Sequence, residues 1–182
     1  MLGTGAFWST VRLFVALWPP DEVVELVRSL PRPAVPRVRW TTPEQWHVTL
    51  RFLGDAAVDD AVGALSSVAW GAPVVARLGE RVERFGRHVL VVPVGGIEGL
   101  AARVAAATAG IGTPAPDRPF TGHLTLARAS RGGDVRPLAG SPLVRAAAWE
   151  VGEVALVASR LHASGARYEV LRRWVLEPNT RS

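Results

Sequence analysis

The chain contains no cysteine and no lysine, one methionine, one tyrosine and only two isoleucines among its 182 residues. Without thiols it can form neither a disulfide, nor a thiolate nucleophile, nor a cysteine-ligated metal centre, so its chemistry falls to histidine, carboxylates, hydroxyls and arginine. Long apolar runs are also missing. The most apolar region, residues 89–111, is broken by Pro93, Glu98 and Arg103, which excludes a membrane-spanning helix there. The apolar stretch from Leu13 to Trp18 follows a single Arg12, lacks a cleavage region and ends in Pro19 and Pro20, a poor signal peptide. The expected location is the cytoplasm, with no membrane partner.

What is present is the composition of a folded globular protein: 48% hydrophobic, 20% charged, with a formal charge of +5. The length suits one compact unit over residues 1–182, with residues 1–10 as an N-terminal extension. All 21 basic residues are arginine, whose planar fork of donors matches phosphate oxygens. Ala, Gly, Val, Arg and Pro dominate throughout, however, so the choice of Arg over Lys follows a general compositional bias. Charge alone names no partner.

Arg12 to Leu17 reads as a buried strand. Asp21 is placed as the N-cap of a helix whose apolar residues Val23, Val24, Leu26, Val27 and Leu30 recur at helical spacing until Pro31. Residues 31–36 connect to two strands, 38–41 and 46–53, separated by a turn at Thr42, Pro43 and Glu44 and closed by Gly54. Helices are expected over 58–69 and 97–109, and strands over 74–78, 82–85 and 88–94. The Pro- and Gly-containing stretch 110–122 is loop and leads to a strand at 123–128. Residues 129–142 form a further loop with a helical turn near 134–138. Two long strands, 151–161 and 167–176, close the chain around a hairpin turn at 162–166. Strands joined by connections too short for parallel crossovers imply an α+β fold with mainly antiparallel sheets.

Two segments carry the chemistry. His47-Val-Thr-Leu and His123-Leu-Thr-Leu repeat one tetrapeptide 76 residues apart. Side chains alternate along a strand, so His47, Thr49 and Arg51 share one face while Val48, Leu50 and Phe52 share the other; His123 and Thr125 repeat the arrangement over Leu124 and Leu126. From the composition, two of the four histidines would be followed by apolar-Thr-Leu by chance with a probability on the order of 10⁻⁴. The single histidines His88 and His162 read as structural. The repeated pair reads as two imidazoles presented to one small anionic group, one as base and one as acid, and the echo suggests two pseudo-symmetric lobes. No third ligand at zinc spacing accompanies either motif, so no metal or other cofactor is expected.

The doubled His-x-Thr-Leu resembles the 2H phosphoesterase superfamily. Its surroundings resemble the bacterial RNA 2′,3′-cyclic phosphodiesterases, also called LigT-like proteins or 2′-5′ RNA ligases: Arg12 to Leu17 followed by prolines, Trp40 and Trp46 before His47-Val-Thr-Leu-Arg-Phe-Leu-Gly54, Arg118 to Arg128, and Ser159-Arg-Leu followed by 165–171. The resemblance implies a bilobal, pseudo-two-fold α+β fold in which two mainly antiparallel sheets face a central cleft, helices outside. It implies hydrolysis of an RNA 2′,3′-cyclic phosphate end to a 2′-phosphate without metal, His47 protonating the 3′ oxygen and His123 activating water. Thr49 and Thr125 are expected to bind the non-bridging phosphate oxygens. Arg128 matches a phosphate-contacting position of the family, but strict alternation points it away from His123, so a bulge or the strand end must turn it inward. Arg51 has the right parity for substrate binding. Alternatives are 2′-5′ ligation, cleavage of another cyclic or 2′-5′ phosphodiester, and a non-catalytic RNA-binding module. Such a cleft needs no second subunit, so a monomer is expected.

Overall fold

The computed structural model describes residues 10–162 and 165–177. Apart from Thr10, the expected N-terminal extension lies outside them, as does the tip of the last hairpin. β1 (Thr10–Leu17) is followed by α1 (Asp21–Arg28), β2 (Val38–Trp40), a 3-10 turn (Pro43–Gln45), β3 (Val48–Ala57), α2 (Val58–Ser66), β4 (Val74–Leu78), β5 (Glu83–Phe85), β6 (Val89–Gly95) and α3 (Glu98–Ala107). Then come β7 (His123–Ala129), a 3-10 turn (Arg136–Leu138), β8 (Ala147–Val151), β9 (Glu153–His162) and β10 (Gly165–Val175).

Every strand pairing is antiparallel, and the strands run β10-β9-β1-β3-β7-β6-β4-β8, with β2 added to β7 and β5 to β6. This path is one curled ten-stranded sheet whose two halves, each carrying one motif, are joined at a single residue pair, Val48 opposite Leu124. Each of these residues directly follows its motif histidine. In the antiparallel register of that pair, His47 lies across from Thr125 and Thr49 across from His123. The two halves of the sheet are therefore joined at the motifs themselves, each histidine set against the other motif's threonine.

β1 is central because both of its faces are apolar. Leu13, Val15 and Leu17 enter the main core with Val48, Leu50, Leu53, Leu124 and Leu126, whereas Phe14 and Ala16 form a smaller cluster on the opposite face with Ala155, Val157, Trp18 and Tyr168. The second cluster floors the cleft. α2 and α3 pack against β3, on the core side of the sheet.

Several boundaries differ from those expected. Asp21 is the first residue of α1 rather than its cap; Pro20 occupies the cap, its carbonyl accepting from Val23 and Val24. α2 stops before 69, where the Ser67 hydroxyl turns back onto the Ala64 carbonyl at 2.7 Å and competes with the helical pattern. Gly54 does not close β3; it carries the strand on to Ala57 at φ +68, and a Cβ there would strike Thr113. β8 escapes sequence reading because Ala147 and Ala148 have little strand propensity, yet it pairs with the whole of β4. His88, read as a core residue, is exposed.

Candidate active site

A cleft of about 210 Å³ between the two halves of the sheet is lined by His47, Thr49, His123, Thr125 and Arg128, together with Arg39, Trp40, Thr41, Gln45, Ala166 and Tyr168. Five of the six residues singled out from the sequence thus converge. The two histidines are held in the same way. His47 Nδ1 lies 2.8 Å from the Gln45 carbonyl and His123 Nδ1 lies 2.8 Å from the Thr121 carbonyl, each the carbonyl two residues upstream. A carbonyl only accepts, so Nδ1 carries the proton in both rings and Nε2 is left for chemistry.

Rings on the cleft floor fix the His47 plane. Phe14 lies 4.8 Å and Trp18 5.6 Å from the imidazole centroid, both tilted by 34°, and Tyr168 meets it edge-on at 4.9 Å. Phe14, 3% exposed, therefore supports His47 from below. Phe85 on β5 plays the same part for His123, edge-on at 4.7 Å.

This enclosure moves the proton affinities. Burial pushes His47 down from 6.5 to about 4, with further lowering from the positive charges of His123 and Arg128 and an opposing contribution from the Gln45 carbonyl. His123 is lowered in the same sense, first by burial and then by Arg128 and Arg118, against the Thr121 carbonyl. Tyr168 is raised by its burial, opposed by Arg128. Among the described residues no carboxylate lines the cleft, so an anion bound there would supply the counter-charge the two histidines lack. Such an anion favours the protonated imidazole and returns a histidine toward an acid usable at neutral pH.

The Arg128 side chain reaches the cleft by a bulge. Between β6 and β7 the register slips at Leu90/Val91, so that Leu126 is extra; Leu126 and Ala127 both face the core and Arg128 faces out. β3 bulges at the same place in its motif, where the β1 register slips between Val15 and Ala16 and leaves Leu50 extra. Arg51 is consequently turned away from the site. It is 5% exposed, and it donates to the Ala105 carbonyl at 2.8 Å and the Thr113 carbonyl at 3.3 Å, closing the C-terminal end of α3. Burial lowers its guanidinium from the ordinary arginine value. The structure therefore does not bring Arg51 to the cleft that the other five residues line.

Thr41 ties the two motif strands together. Its hydroxyl donates to the carbonyls of Thr125 (2.7 Å) and Leu126 (2.8 Å) on β7 and accepts from the Trp46 indole at 2.9 Å. Trp46, 1% exposed, immediately precedes His47, and Arg32 stacks 4.8 Å over its ring. Gln45, besides its carbonyl, accepts from the Thr42 backbone N–H at 3.2 Å and donates to the Ala166 carbonyl at 3.2 Å, joining the His47 turn to β10. Sequence reasoning missed Thr41, Gln45, Tyr168 and Arg39 because they arrive from β2, the following turn and β10. Only strand register brings those segments to the motifs. Among the described residues, no three His, Asp or Glu side chains come together as a metal-ligand cluster, and no helix is long and apolar enough to cross a membrane.

The family described as the 2′-5′ RNA ligase superfamily matches residues 15–163. Among solved structures, one described as a phosphoesterase is 27% identical with a TM-score of 0.73, the match covering 92% of this chain and 98% of that one. The Thermus thermophilus protein TT0787 is 29% identical with a TM-score of 0.71, covering 92% and 99% of the two chains. E. coli LigT complexed with 3′-AMP is 28% identical, also at 0.71, covering 92% and 98%. No curated protein matches the chain at a significant level.

Proposed function

Because this chain belongs to the 2′-5′ RNA ligase superfamily of 2H phosphoesterases, we propose that it hydrolyses the 2′,3′-cyclic phosphate at an RNA 3′ end to a 2′-phosphate, using His47 and His123 as a metal-independent acid and base. The observation that carries this reading is the matched pair of imidazoles, each with Nδ1 bound to a carbonyl and Nε2 left for the cleft they share.

Opening the ring requires a water oxygen to bond to phosphorus as the bond from phosphorus to O3′ breaks. His123 Nε2 takes the proton from water, and His47, protonated at Nε2 once the anion is bound, gives its proton to O3′. Charge accumulates on the non-bridging oxygens, where the Thr49 and Thr125 hydroxyls and the Arg128 guanidinium stand as donors. The division of roles follows the family likeness, since the two rings are held alike. Ligation through a 2′-5′ linkage is the same chemistry with a ribose hydroxyl in place of water. Hydrolysis is preferred because water, at its bulk concentration, outcompetes a ribose hydroxyl unless the second RNA end is held. The test is to incubate the protein with an oligoribonucleotide ending in a 2′,3′-cyclic phosphate and locate the product phosphate. A 2′-phosphate is expected; a 3′-phosphate, or an unchanged substrate, refutes the reading.

A further inference from the structure

At the far end of β7 the chain builds a second depression, of about 530 Å³, lined by Arg87, His88, Ala129, Arg131, Gly132 and Gly133. We propose that this depression binds the phosphodiester backbone of single-stranded RNA upstream of the reacting end, so that the enzyme discriminates an RNA chain from a mononucleotide. The inference rests on the reading that the cleft holds an RNA cyclic phosphate.

Continuity with the cleft is the first support. β7 carries Thr125 and Arg128 on its cleft face; Ala129, whose side chain alternates to the face that packs against the main core, marks the strand end where the depression opens, with Arg39 of β2 opposite Arg128 and Val38 opposite Ala129. From Thr125 to Ala129 the strand advances about 13 Å. A phosphate chain anchored at the histidines and following β7 past Arg128 meets the depression at the strand end with its next phosphates, not its terminal one.

The depression is also built, not merely basic. Arginine is the only long cation in this chain, so its presence proves nothing; its placement does. Arg37 adopts φ +62, the one described non-glycine residue in the left-handed region, a conformation that costs energy and survives only where surrounding bonds impose it. Its carbonyl accepts from the Ser130 backbone N–H at 2.9 Å and its guanidinium donates to the Arg131 carbonyl at 3.1 Å. Gly132 and Gly133 make room for it: a Cβ on Gly132 would strike the Arg37 guanidinium, and one on Gly133 the Arg37 backbone carbonyl. The strained residue thus lays its guanidinium across Gly132 and onto the Arg131 carbonyl, bracing the turn whose Arg131 and Gly132 line the depression. Asp134, the carboxylate that follows Gly133, is engaged by Arg136 at 2.6 Å and Arg87 at 3.4 Å, so it is already neutralised beside Arg131. Guanidinium forks over exposed backbone suit phosphate oxygens without reading bases.

The experiment compares kcat/KM for adenosine 2′,3′-cyclic phosphate with that for an oligoribonucleotide bearing the same terminus, in wild type, Arg131→Gln and the double variant Arg87→Gln/Arg131→Gln. Among the described residues Arg131 makes no ion pair, and both positions are exposed. Wild type should favour the oligonucleotide. The double variant should lose about 10-fold on the oligonucleotide alone, and its log–log salt slope for oligonucleotide binding should be shallower by about 1.4, the loss of two single-strand phosphate contacts. Equal effects on both substrates, or none on either, overturn the inference. If wild type hydrolyses neither substrate, the proposed reaction fails by itself. Anisotropy titration of a labelled single-stranded RNA against the same variants then decides the site independently, an unchanged salt slope overturning it.

Discussion

Acidification should weaken the fold through His47, and removing that imidazole should remove most of the effect. Its pKa is depressed from 6.5 to about 4 by burial, aided by His123 and Arg128. Between those values the unfolded chain binds a proton at this position that the folded chain does not, so stability is complete above pH 6.5 and is lost as pH falls toward 4. The depression corresponds to at most about 3 kcal/mol, a sizeable share of the about 5–15 kcal/mol that holds a typical domain together. His123, shifted in the same direction, adds to the loss. Urea denaturation of wild type and His47→Gln at pH 7.5 and pH 5 measures the effect: the drop on acidification should be clearly smaller in the variant. Phosphate should reverse the sign locally, because an anion in a cleft without carboxylates favours the imidazolium. Calorimetric titration with inorganic phosphate at pH 6, in buffers of different ionisation enthalpy, should therefore show proton uptake. An equal pH dependence in wild type and variant, together with phosphate binding that takes up no proton, would refute the account of a neutral resting pair charged by its substrate.

The remaining expectations concern single side chains. His47→Ala and His123→Ala should each slow cyclic-phosphate hydrolysis by about 10²- to 10⁴-fold, while excess EDTA leaves the wild-type rate unchanged; strong inhibition by EDTA would instead point to a metal. Thr41→Val strands the buried Trp46 indole and should cost about 1–3 kcal/mol in denaturant melts, with slower turnover because the two motif strands lose their tie. Thr41→Ser, which keeps the hydroxyl, should restore both. Arg51 and Arg128 should separate cleanly. Arg51→Met should lower stability by about 2–3 kcal/mol with little change in kcat, whereas Arg128→Gln should lower kcat/KM by about 10² at unchanged stability, and the reverse pattern would mean that the bulges are misplaced.

Those last two residues show what the sequence discloses and where it stops. The apolar runs and helical spacings locate nearly every element, since burial on one face or both leaves a periodicity that can be counted. Elements built from weak strand formers, such as Ala147 and Ala148 in β8, leave none. The motif residues His47, Thr49, His123 and Thr125 were legible because regular alternation holds over the tetrapeptides themselves. Beyond them alternation fails, for each strand bulges directly after its threonine, at Leu50 and at Leu126.

The repeat already contained the information needed to treat both arginines consistently. Advancing 76 residues carries His47 to His123 and Thr49 to Thr125, and it also carries Arg51 to Ala127 and Phe52 to Arg128. If a bulge is required to bring Arg128 into the cleft, pseudo-symmetry requires one in β3 as well, and that bulge must bury the residue equivalent to Ala127. That residue is Arg51, which lies in the interior on two carbonyls, while Phe52, equivalent to Arg128, is 48% exposed. Since the two strands share one backbone course, the asymmetry of the site lies in the side chains that the shared course presents. At the equivalent place one motif strand brings Arg128 to the lining of the cleft, and the other exposes Phe52, which does not line it.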